Sequence, residues 1–482
     1  MPQFSALGPL DTVTSPTARA DRWLAGALLL LLCWLPLPLG SNRDWSAGLL
    51  VLATGLLGLL WSLNRLRRAQ PWPRSAAWRT GLPMMAALLL AQLWVAVQWL
   101  TGLSADAGAT LQALLLGLAY TLLFALTLAL FGTRRRLTVL LTVLVVSGTF
   151  QAFLGSAAAL SGLEALGFAA AGSVPTGSYV NRNHLAGYLA LCLSAGIGLL
   201  LALRNPQPWR WAALAELALG PKMRLRLALV IMVIALVMTH SRGGNTAFLA
   251  GLLAVGLLFT LRDQAHRRRN LLILSSIVLV DLLIVSQYFG LERLKDRVVN
   301  TRFTDVVVDG QVVLSANELR DDVVRQALPM IAERPLTGHG AGSFEVVFPR
   351  FAGADLPLHF DHAHNDYVQF MAEFGLLGSL PLAVFVLLAV WHALRAVWRM
   401  RSRYASGVGF GAAMGVVAFA THAASDFNLQ IPANAASFVV LCAVGVLAER
   451  RARGQAAQER LHARNPGVDD SHTSRFIGRC VA

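Results

Sequence analysis

Charge is scarce in this chain. Only 14% of its 482 residues are charged, against about 25% in ordinary soluble domains, which excludes a conventional water-soluble multidomain enzyme. Cysteine is scarcer still. Cys33, Cys192 and Cys442 fall in apolar stretches and Cys480 lies in the tail, so neither a disulfide framework nor a cysteine-held metal cluster is indicated. Cys480 also stands too close to the end of the sequence for a prenylation box. Internal repeats and low-complexity tracts are missing, and the segments assigned below to the outer face contain no Asp-x-Asp pair of the kind that holds a metal on phosphates.

What the chain has is apolar length. Hydrophobic residues make up 56% of it and the mean hydropathy is +0.57. Runs of about 18 or more apolar residues signal membrane spans. Such runs place spans near 23–40, 46–63, 83–100, 110–131, 138–160, 184–203, 225–240, 246–261, 271–289, 375–394, 406–424 and 434–448. The net charge of +15 then has a plain source. Cations gather after alternate spans, as with Arg65, Arg67 and Arg68, then Arg134, Arg135 and Arg136, then Arg267, Arg268 and Arg269. The opposite connections are nearly free of them, apart from Arg43, Arg182, Arg242 and one long loop. By the positive-inside rule this predicts about twelve membrane spans, with both termini cytoplasmic and no nucleic-acid partner. Arg19 and Arg22 before the first span imitate a signal peptide, but Pro36, Pro38 and Gly40 read as a helix end, so the span is expected to remain as an anchor.

One segment breaks the rhythm of short loops. Between the ninth and tenth spans the chain is polar and mixed in charge, and loops of that length are usually functional or disordered. Val306, Val307 and Val308 face Val312 and Val313 across Asp309-Gly310, a hairpin signal. A helix is expected from about Asn317 to Glu333, ended by Arg334-Pro335 and followed by the glycine-rich turn from Gly338 to Gly342. The expected organisation is a cytoplasmic N-terminus (1–22), nine spans (23–289), a folded periplasmic loop (290–374), three spans (375–448) and a basic cytoplasmic tail (449–482). Within the spans, Gly407, Gly411 and Gly415 share a face that permits close helix packing, inside the chain more readily than between copies. Asp281 is ionisable at membrane depth, where a functional role and a hydrogen-bonded structural one are equally open.

Candidate chemistry concentrates on the outer face. The densest cluster is His362-Ala363-His364-Asn365-Asp366-Tyr367. Histidine titrates near neutrality and suits a general base. Asn365 and Asp366 are candidates to orient the ring or hold a sugar hydroxyl, with a polar helix cap as the plain alternative. Arg242 occupies a tight turn, Thr239-His240-Ser241-Arg242-Gly243-Gly244. Arg182 and His184 open another span, and Arg320 lies in the loop helix with Arg325 beyond it. Guanidinium groups bind phosphate oxygens bidentately, although at this depth they also anchor to lipid headgroups. A last polar turn, Ser425-Asp426-Phe427-Asn428, joins the final two spans and offers Asp426 and Asn428 for glycan contacts.

These residues resemble a known family. His364-Asn365, nine intervening residues and then Gly375 and Gly378, the Ser-Arg-Gly turn at Arg242, and the run from Arg320 through Pro335 to Phe344 are similar to motifs of bacterial O-antigen ligases and polymerases. The resemblance extends over roughly 179–434. It implies an all-α, GT-C-like membrane glycosyltransferase that takes a glycan from undecaprenyl pyrophosphate and passes it to a hydroxyl of the lipid A core. It places the base on His364 and pyrophosphate-binding arginines on Arg242 and Arg320; Arg325 matches no family position. Arg182, His184, Asn365, Asp366, Asp426 and Asn428 are expected to contact substrate. Pyrophosphate is already a good leaving group, so charge neutralisation and one deprotonation suffice, which predicts inversion with no metal or other cofactor. A polymerase or a protein O-oligosaccharyltransferase would use the same donor. An anion carrier of bicarbonate type is the rival from another class, and would be expected to show polar groups or broken helices near the midplane.

Overall fold

The computed structural model describes residues 16–67, 75–161, 174–203, 221–264, 316–353 and 359–464 apart from 400–401, together with 306–308, 311–313, Leu356 and isolated positions between 267 and 279. Its helices are α1 (Pro16–Trp34), α2 (Asp44–Leu66), α3 (Ala76–Leu100), α4 (Ala107–Leu130), α5 (Arg134–Ser161), α6 (Arg182–Ala202), α7 (Pro221–Met238) and α8 (Arg242–Arg262). After a short hairpin come α9 (Ala316–Glu333), α10 (Phe344–Val347), α11 (Asp366–Arg399), α12 (Arg403–His422) and α13 (Pro432–Arg464). Among the described residues nine helices are long and apolar enough to cross a membrane: α2 to α6, α8, and α11 to α13. The protein is an all-α, multi-pass membrane protein.

Twelve spans were expected. α1 and α7 are helices at the first and seventh predicted positions, but each carries three charged residues near its N-terminal end (Arg19, Asp21 and Arg22; Lys222, Arg224 and Arg226), which leaves too short an apolar run. The ninth prediction, with Asp281, lies mostly outside the described residues.

Small residues set the centre of the bundle. α6, α12 and α13 are its most buried long helices, whereas α11 presents most of its surface outward. A methyl group on Gly411 would sit 2.6 Å from the Ser194 carbonyl oxygen, and one on Gly198 would sit 2.7 Å from Gly411 Cα. Gly407 and Gly411 thus let α12 lie backbone to backbone against α6, so this stripe packs within the chain. At the end of the bundle that holds Arg453, Glu449 is fully buried but matched by His392 Nδ1 at 2.5 Å, Arg395 Nε at 3.2 Å and Arg453.

The described parts of the segment before α11 include the expected hairpin strands and helix. β1 (Val306–Val308) pairs antiparallel with β2 (Gln311–Val313), Val306 opposite Val313. Val323, Ala327, Met330, Phe344, Val347 and Phe348 form a small core of its own. α11 starts nine residues before the predicted span because it is broken rather than begun at Gly375, whose φ is 61°. The break frees backbone groups, and the glycine-rich turn satisfies them. Leu376 and Leu377 N–H donate to the carbonyls of Pro335 and Leu336, while His339 and Gly340 N–H donate to those of Ala372 and Glu373. Gln98 Nε2 donates to the Glu373 and Thr337 carbonyls and so ties α3 to the same junction. Irregular backbone of this kind survives in a membrane protein only where protein groups re-satisfy it.

Candidate active site

The break in α11 presents its first turn, and the histidine cluster before it, to the loop between α12 and α13. Four hydrogen bonds close that seam. Asp366 N–H donates to the Ala423 carbonyl at 2.8 Å and Asn365 Nδ2 to the Ala424 carbonyl at 3.0 Å. Tyr367 Oη donates to the Ala420 carbonyl, and Leu429 N–H to Asp366 Oδ2. Asn365 also caps α11, its Oδ1 accepting from Tyr367 and Val368 N–H. Both ends of the Asn365 side chain are thereby occupied in holding the motif in place.

His364 takes φ 51°, which is uncommon for a residue with a Cβ. The seam on one side and the Ala363 N–H bond to Gln369 Oε1 on the other fix that conformation. It directs Nδ1 to Asp426 Oδ1 at 3.7 Å, within ion-pair range though past hydrogen-bond length. His184 Nε2 faces the same oxygen from α6 at 3.8 Å. Asp426, not Asp366, is thus the carboxylate opposite the His364 ring. Asp426 is 1% exposed. Burial alone would raise its pKa, but the His364 imidazole, then His184, His422 and the Arg320 guanidinium, outweigh burial and hold the carboxyl well below the usual range. It is an anion at neutral pH. His184 Nε2, His364 Nδ1, His422 Nε2 and Asp426 Oδ2 are buried without a protein hydrogen-bond partner.

Phe427 packs the cluster together. Its ring centroid lies 4.3 Å from His362, 4.7 Å from His184 and 4.9 Å from His364. His362 accepts at Nδ1 from Gln369 Nε2 at 2.9 Å, and burial pulls its pKa down to about 4. It is a neutral wall of the site.

The cationic candidates divide. Arg320 is half-buried on α9 and its charge reaches Asp426. Arg242 is exposed as the first residue of α8, next to Gly243, which abuts Ser425 and His422. Arg182 is exposed at the start of α6, two residues before His184. Arg325 pairs with Asp322 at the surface. Asn428 is fully buried between Asn434 and His422. Among the described residues one group has metal-ligand spacing, Glu345, His359 and Asp361. All three are exposed, and the His359 ring bridges the two carboxylates at 3.0 and 3.4 Å as a surface ion-paired triad.

Sequence reading left His362, His422 and Phe427 out of the site. His362 lay in the recognised cluster and Phe427 in the recognised turn, so proximity was their only signal. His422 sits at the end of an apolar helix and gave none.

Residues 227–383, about a third of the chain, match the family model described as O-antigen ligase. Over that stretch the chain is similar to the O-antigen ligase family. The match takes in Arg242, Arg320, His364, Asn365 and Asp366, and leaves out Arg182, His184, Asp426 and Asn428. No curated protein matches the chain. The match supports a ligase or polymerase type of function within this superfamily and, with it, an enzymatic role.

Proposed function

We propose that this protein is an O-antigen ligase-like glycosyltransferase. It moves a glycan from undecaprenyl pyrophosphate to a hydroxyl of the lipid A core, on the periplasmic face of the inner membrane. The observation that carries this reading is the pairing of His364 with the ionised Asp426 at 3.7 Å, within reach of the Arg320 charge. An imidazole with Nδ1 toward a carboxylate keeps its Nδ1 proton and offers Nε2 as the base. His364 Nε2 takes the proton of the acceptor hydroxyl as that oxygen attacks the anomeric carbon. The bond from the anomeric carbon to the pyrophosphate oxygen breaks, and its electron pair leaves with the pyrophosphate. Asp426 stabilises the imidazolium that forms, while Arg242 and Arg320 neutralise charge on the leaving group. One displacement inverts the anomeric centre, and no step calls for a metal.

In this reading Arg182 and His184 border the donor, and Asn365, Asp366 and Asn428 hold the site rather than touch the glycan. The proposed topology is twelve spans in a GT-C-like arrangement, with segment 290–374 periplasmic and both 1–22 and 449–482 cytoplasmic. In it α1 and α7 cross together with the chain that continues their apolar runs, and the segment near 271–289 supplies the ninth span. The polymerase reading differs only in its acceptor.

The test is transfer by the purified full-length protein in nanodiscs, with EDTA present. An undecaprenyl-pyrophosphate glycan is offered with lipid A core, free repeat unit or a pilin-like protein. Transfer to lipid A core alone is expected. Transfer only to the repeat unit or the protein makes the enzyme a polymerase or a protein oligosaccharyltransferase. No transfer, together with anion flux in liposomes, overturns the glycosyltransferase reading.

A further inference from the structure

His422 belongs to a chain of side-chain hydrogen bonds whose direction is set by its ends. The His184 carbonyl can only accept, so the Asn434 atom 3.0 Å from it is the amide nitrogen. That Nδ2 also donates to Asn428 Oδ1 at 2.8 Å, and Tyr179 Oη donates to Asn434 Oδ1 at 3.0 Å. The remaining Asn428 atom is therefore Nδ2, which donates to His422 Nδ1 at 3.3 Å. An imidazole that accepts at Nδ1 carries its proton on Nε2. His422 is 1% exposed and its Nε2–H has no protein acceptor. Native proteins seldom leave a buried donor in that state unless a ligand or water completes it.

The donor faces the opening of α8. A methyl group on Gly243 would sit 3.2 Å from His422 Nε2 and 2.4 Å from Ser425 Oγ. Gly243 is the second residue of this 21-residue helix, so its N–H and that of Arg242 have no acceptor within the helix. Ser241 Oγ accepts only from Gly244 N–H, at 3.2 Å. The positive end of the helix and the exposed Ser425 hydroxyl, whose own proton goes to the His422 carbonyl at 3.2 Å, thus flank the His422 N–H. Arg320 lies near enough for its charge to act on the ring, as does the charge of Asp426. Arg320 offsets the repulsion that Asp426 exerts on an incoming anion.

We propose that these groups form a phosphate-binding notch, with the His422 Nε2–H at its floor and the α8 N-terminus as its wall, that seats one phosphate of the lipid-linked pyrophosphate donor. The notch rests on the pyrophosphate-dependent reading above. It adds to that reading a binding residue outside the matched stretch, gives Asn428 the task of fixing the His422 tautomer, and explains glycine at 243, since any Cβ there fills the space.

The experiment measures binding of undecaprenyl pyrophosphate to the full-length protein in nanodiscs, for wild type, His422→Phe, His422→Gln and Gly243→Ala. Thermal unfolding confirms that each variant is folded. A hydrogen bond to a charged group accounts for about tenfold or more in affinity, so His422→Phe and Gly243→Ala should bind at least about tenfold more weakly. His422→Gln, which keeps a donor, should stay within about threefold of wild type. If His422→Phe does not fold, the contrast between Gly243→Ala and His422→Gln decides. Folded His422→Phe or Gly243→Ala protein that binds as tightly as wild type overturns the notch, even where wild type transfers glycan. Wild type that binds through His422 yet transfers nothing keeps the notch and overturns the glycosyltransferase reading.

Discussion

Asp426→Asn separates the proposed catalytic pairing from the packing around it. The substitution keeps the shape of a side chain that is 1% exposed and whose Oδ1 accepts from the Phe427 N–H, while removing its charge. At 3.7 Å the attraction between carboxylate and imidazolium is about 1 kcal/mol at the dielectric of water and about 4 kcal/mol at an effective dielectric of about 20. With Asp426 buried and the His364 side chain 18% exposed, about 3 kcal/mol is a reasonable middle, or about a hundredfold in rate. The Phe427 N–H holds the amide oxygen on the His364 side, so the loss is one of charge rather than of tautomer. We therefore expect kcat to fall about 10²- to 10³-fold, with KM for donor within about threefold. Initial rates of transfer at saturating acceptor measure both. Asp426→Asn protein with kcat within about threefold of wild type would refute the pairing.

Three further outcomes follow from the same geometry. His362 is held neutral, with its pKa pulled from about 6.5 down to about 4, so the stability it lends is complete above about pH 6.5 and is lost as pH falls toward 4. Wild type should lose up to about 3 kcal/mol in that window, and His362→Gln should lose less in thermal unfolding at pH 7 and pH 5. Gly375→Ala places a methyl 2.3 Å from the Leu336 carbonyl oxygen at a left-handed backbone position. It should cost at least about 2 kcal/mol, seen as a lower unfolding temperature or loss of folded protein. Arg320→Met should reduce transfer about 10²-fold, with partial recovery in Arg320→Lys, because the role is charge on Asp426 and the leaving group; equal rates in both variants would contradict it.

Much of the fold was legible because apolar length is a one-dimensional property. The helices with uninterrupted apolar runs lie where they were predicted, and α1 and α7 fall short through the charges at their ends. The start of α11 was misplaced because Gly375 resembles a helix boundary. Only the docked turn from Pro335 to Gly340 shows that the helix continues through it. The candidate site was legible in part. The His364 cluster and the arginines stand out as motifs. The partner of His364 is set by tertiary structure, and nothing in the run His364-Asn365-Asp366 indicates that its nearest carboxylate is Asp426 on another loop. The roles of His422 and Asn428 depend on a hydrogen-bond chain reaching from Tyr179 to Asn434, which no local pattern records.

The most direct test of the account is single-turnover transfer from an undecaprenyl-pyrophosphate glycan by His364→Ala and His364→Gln protein, both shown to be folded and to bind donor. With His364 as the base, donor affinity should stay within about threefold of wild type and the transfer rate should fall by about 10²- to 10⁴-fold in both variants. Either variant transferring glycan at the wild-type rate would contradict the assignment of His364 as the base.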